Sequence, residues 1–287
     1  VVDDRDLLKI VSGIIGKERT SDDCCMIRAG DENIILSTDM LHESTDFPKG
    51  MTDWQIGWMS AAVTLSDIAS CGAVPIALLL AAGLDEPERI SGITTGAKDC
   101  CGMFGAELAG GDIDFHSELT IVTTGIGRVE DEYYKTRRGA NPGDIVCITG
   151  TPGCAGAALE GAERYWKNLV EPLPAVREGR LLALAGVSSM MDVSDGIALS
   201  LYELSGSSGV GFEISMDNLP LSPGVSSEMA LYSGGDFGLL FTCGRDILPV
   251  PGVDCTVIGV VTDSGEVLCD GVLVERRGYS HRWMEEV

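Results

Sequence analysis

The pattern of apolar and polar positions switches repeatedly between a strand period and a helix period. "CCMIRAG" (24–30) and "NIILSTDM" (33–40) are short apolar runs bounded by Gly and Asp, and they predict strands. "TDWQIGWMSAAVTLSDIASCGA" (52–73) predicts a helix opened by Thr52 or Asp53 and closed near Gly72. "PIALLLAAGL" reads as a buried strand, and "EPERISGITTGAKDCCGMFG" as a second helix weakened by its glycines. "AELAGGDI" and "LTIVTTGIGRV" predict two more strands. The turn-rich stretch "KTRRGANPGDIVCITGTPG" then marks a boundary. Beyond it "DIVCITG" predicts a strand, followed by helices near 155–166 and 174–186. "SMMDVSDGIALSLYELSGSSG" reads as strand, acidic turn and helix, and "VGFEIS", "DFGLLFTC" and "CTVIGVVT" as further strands. This order predicts an α/β (α+β) chain of two domains, 1–136 and 137–287, each a sheet flanked by helices.

Composition narrows the function classes. The 287 residues include 44 Asp and Glu against 20 Lys and Arg, a formal net charge of -24. Such a surface suits neither nucleic acid nor an anionic membrane, both of which call for clustered Lys and Arg. The ten cysteines include adjacent pairs and no Cys-x-x-Cys. They read as buried free thiols in a reducing cytosol, not as a disulfide framework or a zinc ribbon. The longest apolar stretch, "VPIALLLAAGL", is too short to span a bilayer, and no signal peptide is evident. A cytoplasmic location is the expectation.

The informative acids fall at predicted strand ends and turns. Asp22 and Asp23 precede the first strand, and Asp39 ends the second in "LSTDML". Asp112 follows Gly110-Gly111, Asp192 and Asp195 bracket "MMDVSDG", and Asp236 follows Gly234-Gly235. Any one of them could be a helix cap or an Asx-turn. Asp67 is different, because it interrupts an apolar helix, where an unpartnered carboxylate is costly to bury. Lys is scarce, so a divalent cation is the natural partner. Mg²⁺ takes carboxylate, water and phosphate oxygens. Glycines beside the acids leave room for backbone N–H groups to approach phosphate. Together these features point to phosphoryl transfer. The sequence holds neither a Walker A motif nor a kinase-type His-Arg-Asp.

In order, "SDDCCMI", "LSTDML", "VTLSDIASCGAVP", "LAGGDI", "RRGANPGDIVCITGTPG", "DVSDGIALSL", "SGGDFGLLFT" and "GYSH" span nearly the whole chain. In this ensemble the chain resembles the thiamine-monophosphate kinase family, within the superfamily of aminoimidazole ribonucleotide synthetase. The resemblance implies transfer of the γ-phosphate of ATP onto thiamine monophosphate, several Mg²⁺ ions, and a homodimer whose N-terminal sheets pair. It implies a metal group of Asp22, Ser37, Thr38, Asp39, Asp67, Asp112, Asp192 and Asp195, with Asp39, Asp112 and Asp195 catalytic. Gly110, Gly111, Arg137 and Ser194 would contact ATP, and Asp46, Asp236 and Tyr279 the acceptor. Two stretches depart from the family pattern. "STDF" carries Asp46 where many relatives have His, and "GGDFGLL" lacks an acid and a residue.

Other readings differ in particular residues. Selenophosphate synthetase would place a reactive Cys in a glycine-rich stretch, whereas Cys24 and Cys25 follow paired Asp residues. The hydrogenase maturation enzyme would show a Cys where this chain reads "WMEEV". Aminoimidazole ribonucleotide synthetase would show a "DGVGTK"-like stretch in place of "STDML". A non-catalytic nucleotide sensor would have lost several of the Asp residues.

Overall fold

A computed structural model describes residues 2–283 of the chain. The stretch 284–287, part of the "WMEEV" reading, lies outside the described residues. The first elements are β1 (Val2–Asp3), α1 (Asp4–Ile15), β2 (Cys25–Ala29), β3 (Glu32–His42), α2 (Asp53–Ser70), β4 (Val74–Leu84), α3 (Ile90–Met103), β5 (Glu107–Phe115) and β6 (Thr120–Val129). A five-stranded sheet forms in the order β2-β3-β6-β4-β5. Its neighbours are antiparallel except β4 and β5, which run parallel. Helices α2 and α3 cover one face of this sheet; the other face is open. The period-2 alternation of β3 sets the division. Asn33, Ile35 and Ser37 are buried on the helix side, and Thr38 and Met40 are exposed on the open side.

The second domain follows with β7 (Ile145–Thr149), α4 (Cys154–Leu159), α5 (Trp166–Val170), α6 (Val176–Ala185), β8 (Ser189–Asp192), α7 (Ile197–Ser208), β9 (Gly211–Ile214) and α8 (Ser227–Tyr232). It ends with β10 (Leu239–Cys243), β11 (Cys255–Thr262), β12 (Val267–Cys269), β13 (Val272–Leu273) and β14 (Arg282–Trp283). Seven of these strands make a sheet ordered β13-β12-β9-β11-β7-β10-β8. Strands β7, β8 and β10 are buried along their whole length, because apolar clusters lie on both faces. Continuous apolar runs, not alternating ones, are what such strands require. Both domains are thus mixed sheets flanked by helices, as the element order predicted. All ten cysteines are free thiols, and seven of them are buried.

Helix α2 joins the two halves. Thr52 and Gln55 form a capping box at its start. Fourteen of its eighteen residues are buried, because it packs on the first sheet and α3 and also on the second domain. Across that second contact Trp58 Nε1 donates to the carbonyl of Pro172 at 2.9 Å. The glycines that weaken α3 as an isolated helix are what bring it onto α2. A Cβ on Gly96 would fall 1.8 Å from the carbonyl oxygen of Trp54, and one on Gly57 would fall 1.8 Å from that of Ile93.

The hydrophobic pattern left residues 2–15 unassigned, and they form β1 and α1. Asp3 caps α1 by accepting from Asp6 N–H at 2.9 Å. Strand β1 pairs antiparallel with β14, and Arg5 reaches Asp195 at 2.8 Å. This segment therefore leans on the second domain, although the sequence grouped it with the first. The helix expected near 155–166 is broken into α4, a 3₁₀ turn at Glu163–Tyr165, and α5. Gly161, at φ +96°, lies between α4 and that turn.

Substitution Gly96→Ala should force α2 and α3 apart and destabilise the chain by about 3 kcal/mol, read as a lower denaturant midpoint. Gly13, in exposed α1 with open space around it, is the control. Gly13→Ala should raise stability by about 0.5–1 kcal/mol. Equal effects from the two variants would refute the close-packing account.

Candidate active site

Helix α2 carries Asp67 into a cleft between the domains. The segment before β2 brings Asp23 beside it, and the end of β8 brings Asp192. One carboxylate oxygen from each of these three lies within 4.8 Å of the others. Asp39, on the helix side of β3, raises the pKa of Asp67 by its charge and so belongs to the same group. Each acid has a hydroxyl donor. Ser37 Oγ lies 2.5 Å from Asp67 Oδ2, and Thr64 Oγ1 lies 2.6 Å from Asp39 Oδ2. Ser66 Oγ lies 2.8 Å from Asp192 Oδ2, and Ser70 Oγ lies 2.5 Å from Asp23 Oδ2.

Positive charge near this group comes from two arginines. Arg137 donates to Asp23 Oδ1 from Nε at 2.9 Å and from Nη2 at 2.5 Å. Arg5 donates to Asp195 Oδ2 at 2.8 Å. They do not balance the acids. Burial, with the charges of Asp39, Asp192 and Asp23, holds the Asp67 carboxyl well above the usual range. Burial and the neighbouring Asp23 push Asp192 up to about 8, against the pull of Ser66 and Arg137. Asp39 is raised chiefly by burial, against the hydrogen bond from Thr64. Oxygen ligands alone, crowded and short of counter-charge, fit a hard divalent cation.

The cleft has a volume of about 490 Å³ and draws on both domains. Asp39, Asp67, Asp192 and Asp195 line its acidic end, and Phe47, Met59, Val63, Leu169 and Phe237 give apolar wall. Asp46 and Tyr279 meet at its rim, where the Tyr279 hydroxyl donates to Asp46 Oδ1 at 2.9 Å. Asp46 also accepts from His42 N–H and the Thr45 hydroxyl. A smaller cavity of about 270 Å³, lined by Arg5, Arg137 and Glu203, shares Ser194 and Asp195 with the cleft.

The structure thus brings together Ser37, Asp39, Asp67, Asp192, Asp195, Arg137, Ser194, Asp46 and Tyr279. Others stand elsewhere. Thr38 points to the open sheet face and bonds Thr124 there. Asp112 is exposed on β5 and bonds the following Ile113 N–H. In the strand order it lies three strand spacings from Asp39, roughly 14 Å. Gly111 pairs with Leu80 of the parallel neighbour β4, and its Cβ would fall 1.6 Å from the Leu80 carbonyl oxygen. Neither Gly110 nor Gly111 lines the cleft. Asp236 accepts from Gly153 N–H at 2.5 Å and Ala155 N–H at 2.9 Å, which makes it a cap on α4. Asp22 accepts the Arg137 backbone N–H at 2.8 Å, so Asp23 is the member of that pair that joins the acidic group. Sequence reasoning marked the pair but selected Asp22. It passed over Thr64, Ser66 and Ser70, whose only signal was their place on the helix that carries Asp67, and Arg5, which lies in the unassigned α1.

Residues 21–129 match the family profile described as AIR synthase related protein, N-terminal domain, and residues 141–270 match the corresponding C-terminal domain. Thiamine-monophosphate kinase of Methanospirillum hungatei is 50% identical over 286 residues, covering 98% of this chain and 100% of that protein. The enzyme of the same name from Halobacterium salinarum is 36% identical over 298 residues, covering 98% and 100%. The solved structure of AaThiL complexed with AMPPCP and TMP superposes with a TM-score of 0.91 at 27% identity, covering 98% and 97%. The chain belongs to the thiamine-monophosphate kinase family of AIR synthase related proteins.

Proposed function

We propose that the chain transfers the γ-phosphate of ATP to the phosphate of thiamine monophosphate, giving thiamine diphosphate. The observation that carries this reading is that Asp39, Asp67 and Asp192 line one end of a cleft, with Asp23 clustered behind them on Asp67 and Asp192, while the other end is apolar and carries Asp46 and Tyr279. The family relationship supplies the substrate pair. Asp23, Asp39, Asp67, Asp192 and Asp195 would hold Mg²⁺, which when bound supplies the positive charge that lets a polyphosphate enter so acidic a site. The chain's own part is positioning. The carboxylates, fixed by hydroxyls, set where cations and phosphates gather. Arg137 and Arg5 in the adjoining cavity and Lys49 on the cleft wall are side-chain cations that can meet phosphate oxygens. The apolar wall excludes water, which protects the transferring group from hydrolysis.

Among the described residues no hydrogen bond joins a Cys or His to a carboxylate at the acidic end, and the buried Cys24 thiol is held protonated by burial, which favours direct in-line transfer with no phospho-enzyme. Inversion at a chiral γ-phosphorus is the expected outcome. At the rim, the Asp46 carboxylate favours the cationic thiazolium of the acceptor, and the Tyr279 ring offers it a face. The protein acts as a homodimer joined through the open face of the first sheet, where Met40 and Leu79 are 57% and 40% exposed. Thr38 and Asp112 share that face, so any part they play in turnover is played there and not in the cleft of their own chain.

The primary test is product formation from ATP with a panel of phosphomonoesters. Thiamine monophosphate should be the preferred acceptor. Equal turnover of a neutral phosphomonoester of similar size would overturn the acceptor assignment.

The variant Asp192→Asn should retain its fold and lose kcat by a factor on the order of 10² or more, since it removes charge from the transition-state environment. Near-normal turnover in a folded Asp192→Asn protein would demote the acidic group to a structural one. Tyr279→Phe should raise KM for thiamine monophosphate more than KM for ATP; the reverse order would misplace the acceptor.

The raised carboxyls also fix a pH dependence. Asp192 titrates near 8 when folded, against about 4 in an unfolded chain. Protons held by the folded, metal-free protein therefore stabilise it fully below about pH 4, and this contribution is lost as pH rises toward 8. The thermal midpoint without metal should fall between about pH 5 and 8, and Mg²⁺ should raise it most at the upper end. A metal-free midpoint that climbs through this range would count against the cation reading.

A further inference from the structure

Thr64, Ser66 and Ser70, three of the hydroxyls that meet the acidic group, are fully buried on α2. A serine or threonine inside a helix commonly turns its hydroxyl back to the carbonyl four residues earlier. Ser60, on the same helix, does this with Ile56 O at 2.8 Å. Ser66 instead reaches across the domain boundary to Asp192, and Thr64 reaches across to Asp39 on β3. Ser70 reaches Asp23 in the segment before β2, while also lying 2.8 Å from the carbonyl of Asp67. Three acids from three separate segments thus meet hydroxyls of one helix, and the fourth acid, Asp67, belongs to that helix.

Hydroxyls suit this task for a physical reason. A carboxylate in a buried site must be oriented, and an Arg or Lys would do so by cancelling its charge. A hydroxyl orients one oxygen through a single neutral hydrogen bond. The carboxylate charge and the remaining lone pairs stay available for a cation. Asp67 shows the same arrangement with Ser37 on Oδ2. Partners one step behind a metal ligand commonly change metal affinity when removed.

We propose that Thr64 and Ser66 are positioning residues that hold Asp39 and Asp192 in the orientation a divalent cation requires; Asp23, which Ser70 meets, is held by Arg137 as well. This rests on the reading of the acidic group as the Mg²⁺ and phosphate end of the cleft. The sharpest test is a pair of substitutions at one position. Thr64→Val keeps the shape and removes the hydroxyl, while Thr64→Ser keeps the hydroxyl and removes a methyl. Ser66→Ala tests the second site independently.

Two readouts are needed on the full chain. One is the Mg²⁺ concentration that gives half of the maximal thermal stabilisation with AMPPCP present; the other is KM for thiamine monophosphate. Thr64→Val and Ser66→Ala should each raise that Mg²⁺ concentration about tenfold. Thr64→Ser should stay near the wild-type value, and KM for thiamine monophosphate should move less than twofold in all three. A metal-free midpoint that drops with an unchanged Mg²⁺ half-point would make the hydroxyls packing groups and overturn the proposal. So would Thr64→Ser behaving like Thr64→Val. Wild-type protein that shows no Mg²⁺-dependent stabilisation would instead sink the underlying site reading, and this inference with it.

Discussion

The cleft depends on a helix that has almost no solvent-facing side. From Ile56 to Ser70 every residue of α2 except Asp67 is buried. A helix apolar all round has to be enclosed on all sides, and here two sheets and a second helix enclose it. The enclosure fixes its rotation. Once Gly57 and Gly96 bring α3 against one flank and Trp58 anchors the other at Pro172, one edge is left facing the cleft. The acid on that edge, and the hydroxyls beside it, are placed by packing and not by their own bonds.

Such an arrangement is expensive in electrostatic terms. The chain carries a net charge of -24, and the acidic group adds buried like charges where water cannot screen them. Two kinds of neighbour moderate the repulsion. Arg137 and Arg5 neutralise Asp23 and Asp195 directly. Hydroxyls stabilise Asp39, Asp67 and Asp192 without cancelling their charge. Burial first, and the neighbouring acids after it, keep the Asp67 and Asp192 carboxyls raised, and a bound cation would offset both.

Much of this was legible in the sequence, and the failures have local causes. Asp67 was identified because a lone acid in an apolar helix has no structural use. Strand β11 was bounded correctly because "CTVIGVVT" is dominated by β-branched residues. Thr38 was grouped with Ser37 and Asp39, although the strand period puts neighbours on opposite faces. Asp112 was grouped with the same set because its place depends on strand order, which is set by pairing between distant segments. Asp236 sits after two glycines like a ligand, yet its oxygens meet the N–H groups at the start of α4. Helix α1 went unread although Leu7, Ile10, Val11 and Ile14 stand at helical spacing, and these residues remain exposed.

The bond between Ser66 and Asp192 has a consequence for how anything enters. It ties the first domain to the second at the acidic end of the cleft, and Trp58 with Pro172 ties them again along the same helix. Swinging the domains apart would break both ties and pull the acids out of register. The segment carrying Asp46 is tied back as well, by the Tyr279 hydroxyl, by Ser44 N–H on Glu118, by the buried Phe47, and by Arg89, which grips Glu43, Asp53 and Asp85 at its base. Floor and wall are thus both fastened, and a ligand meets a cleft whose shape is already set.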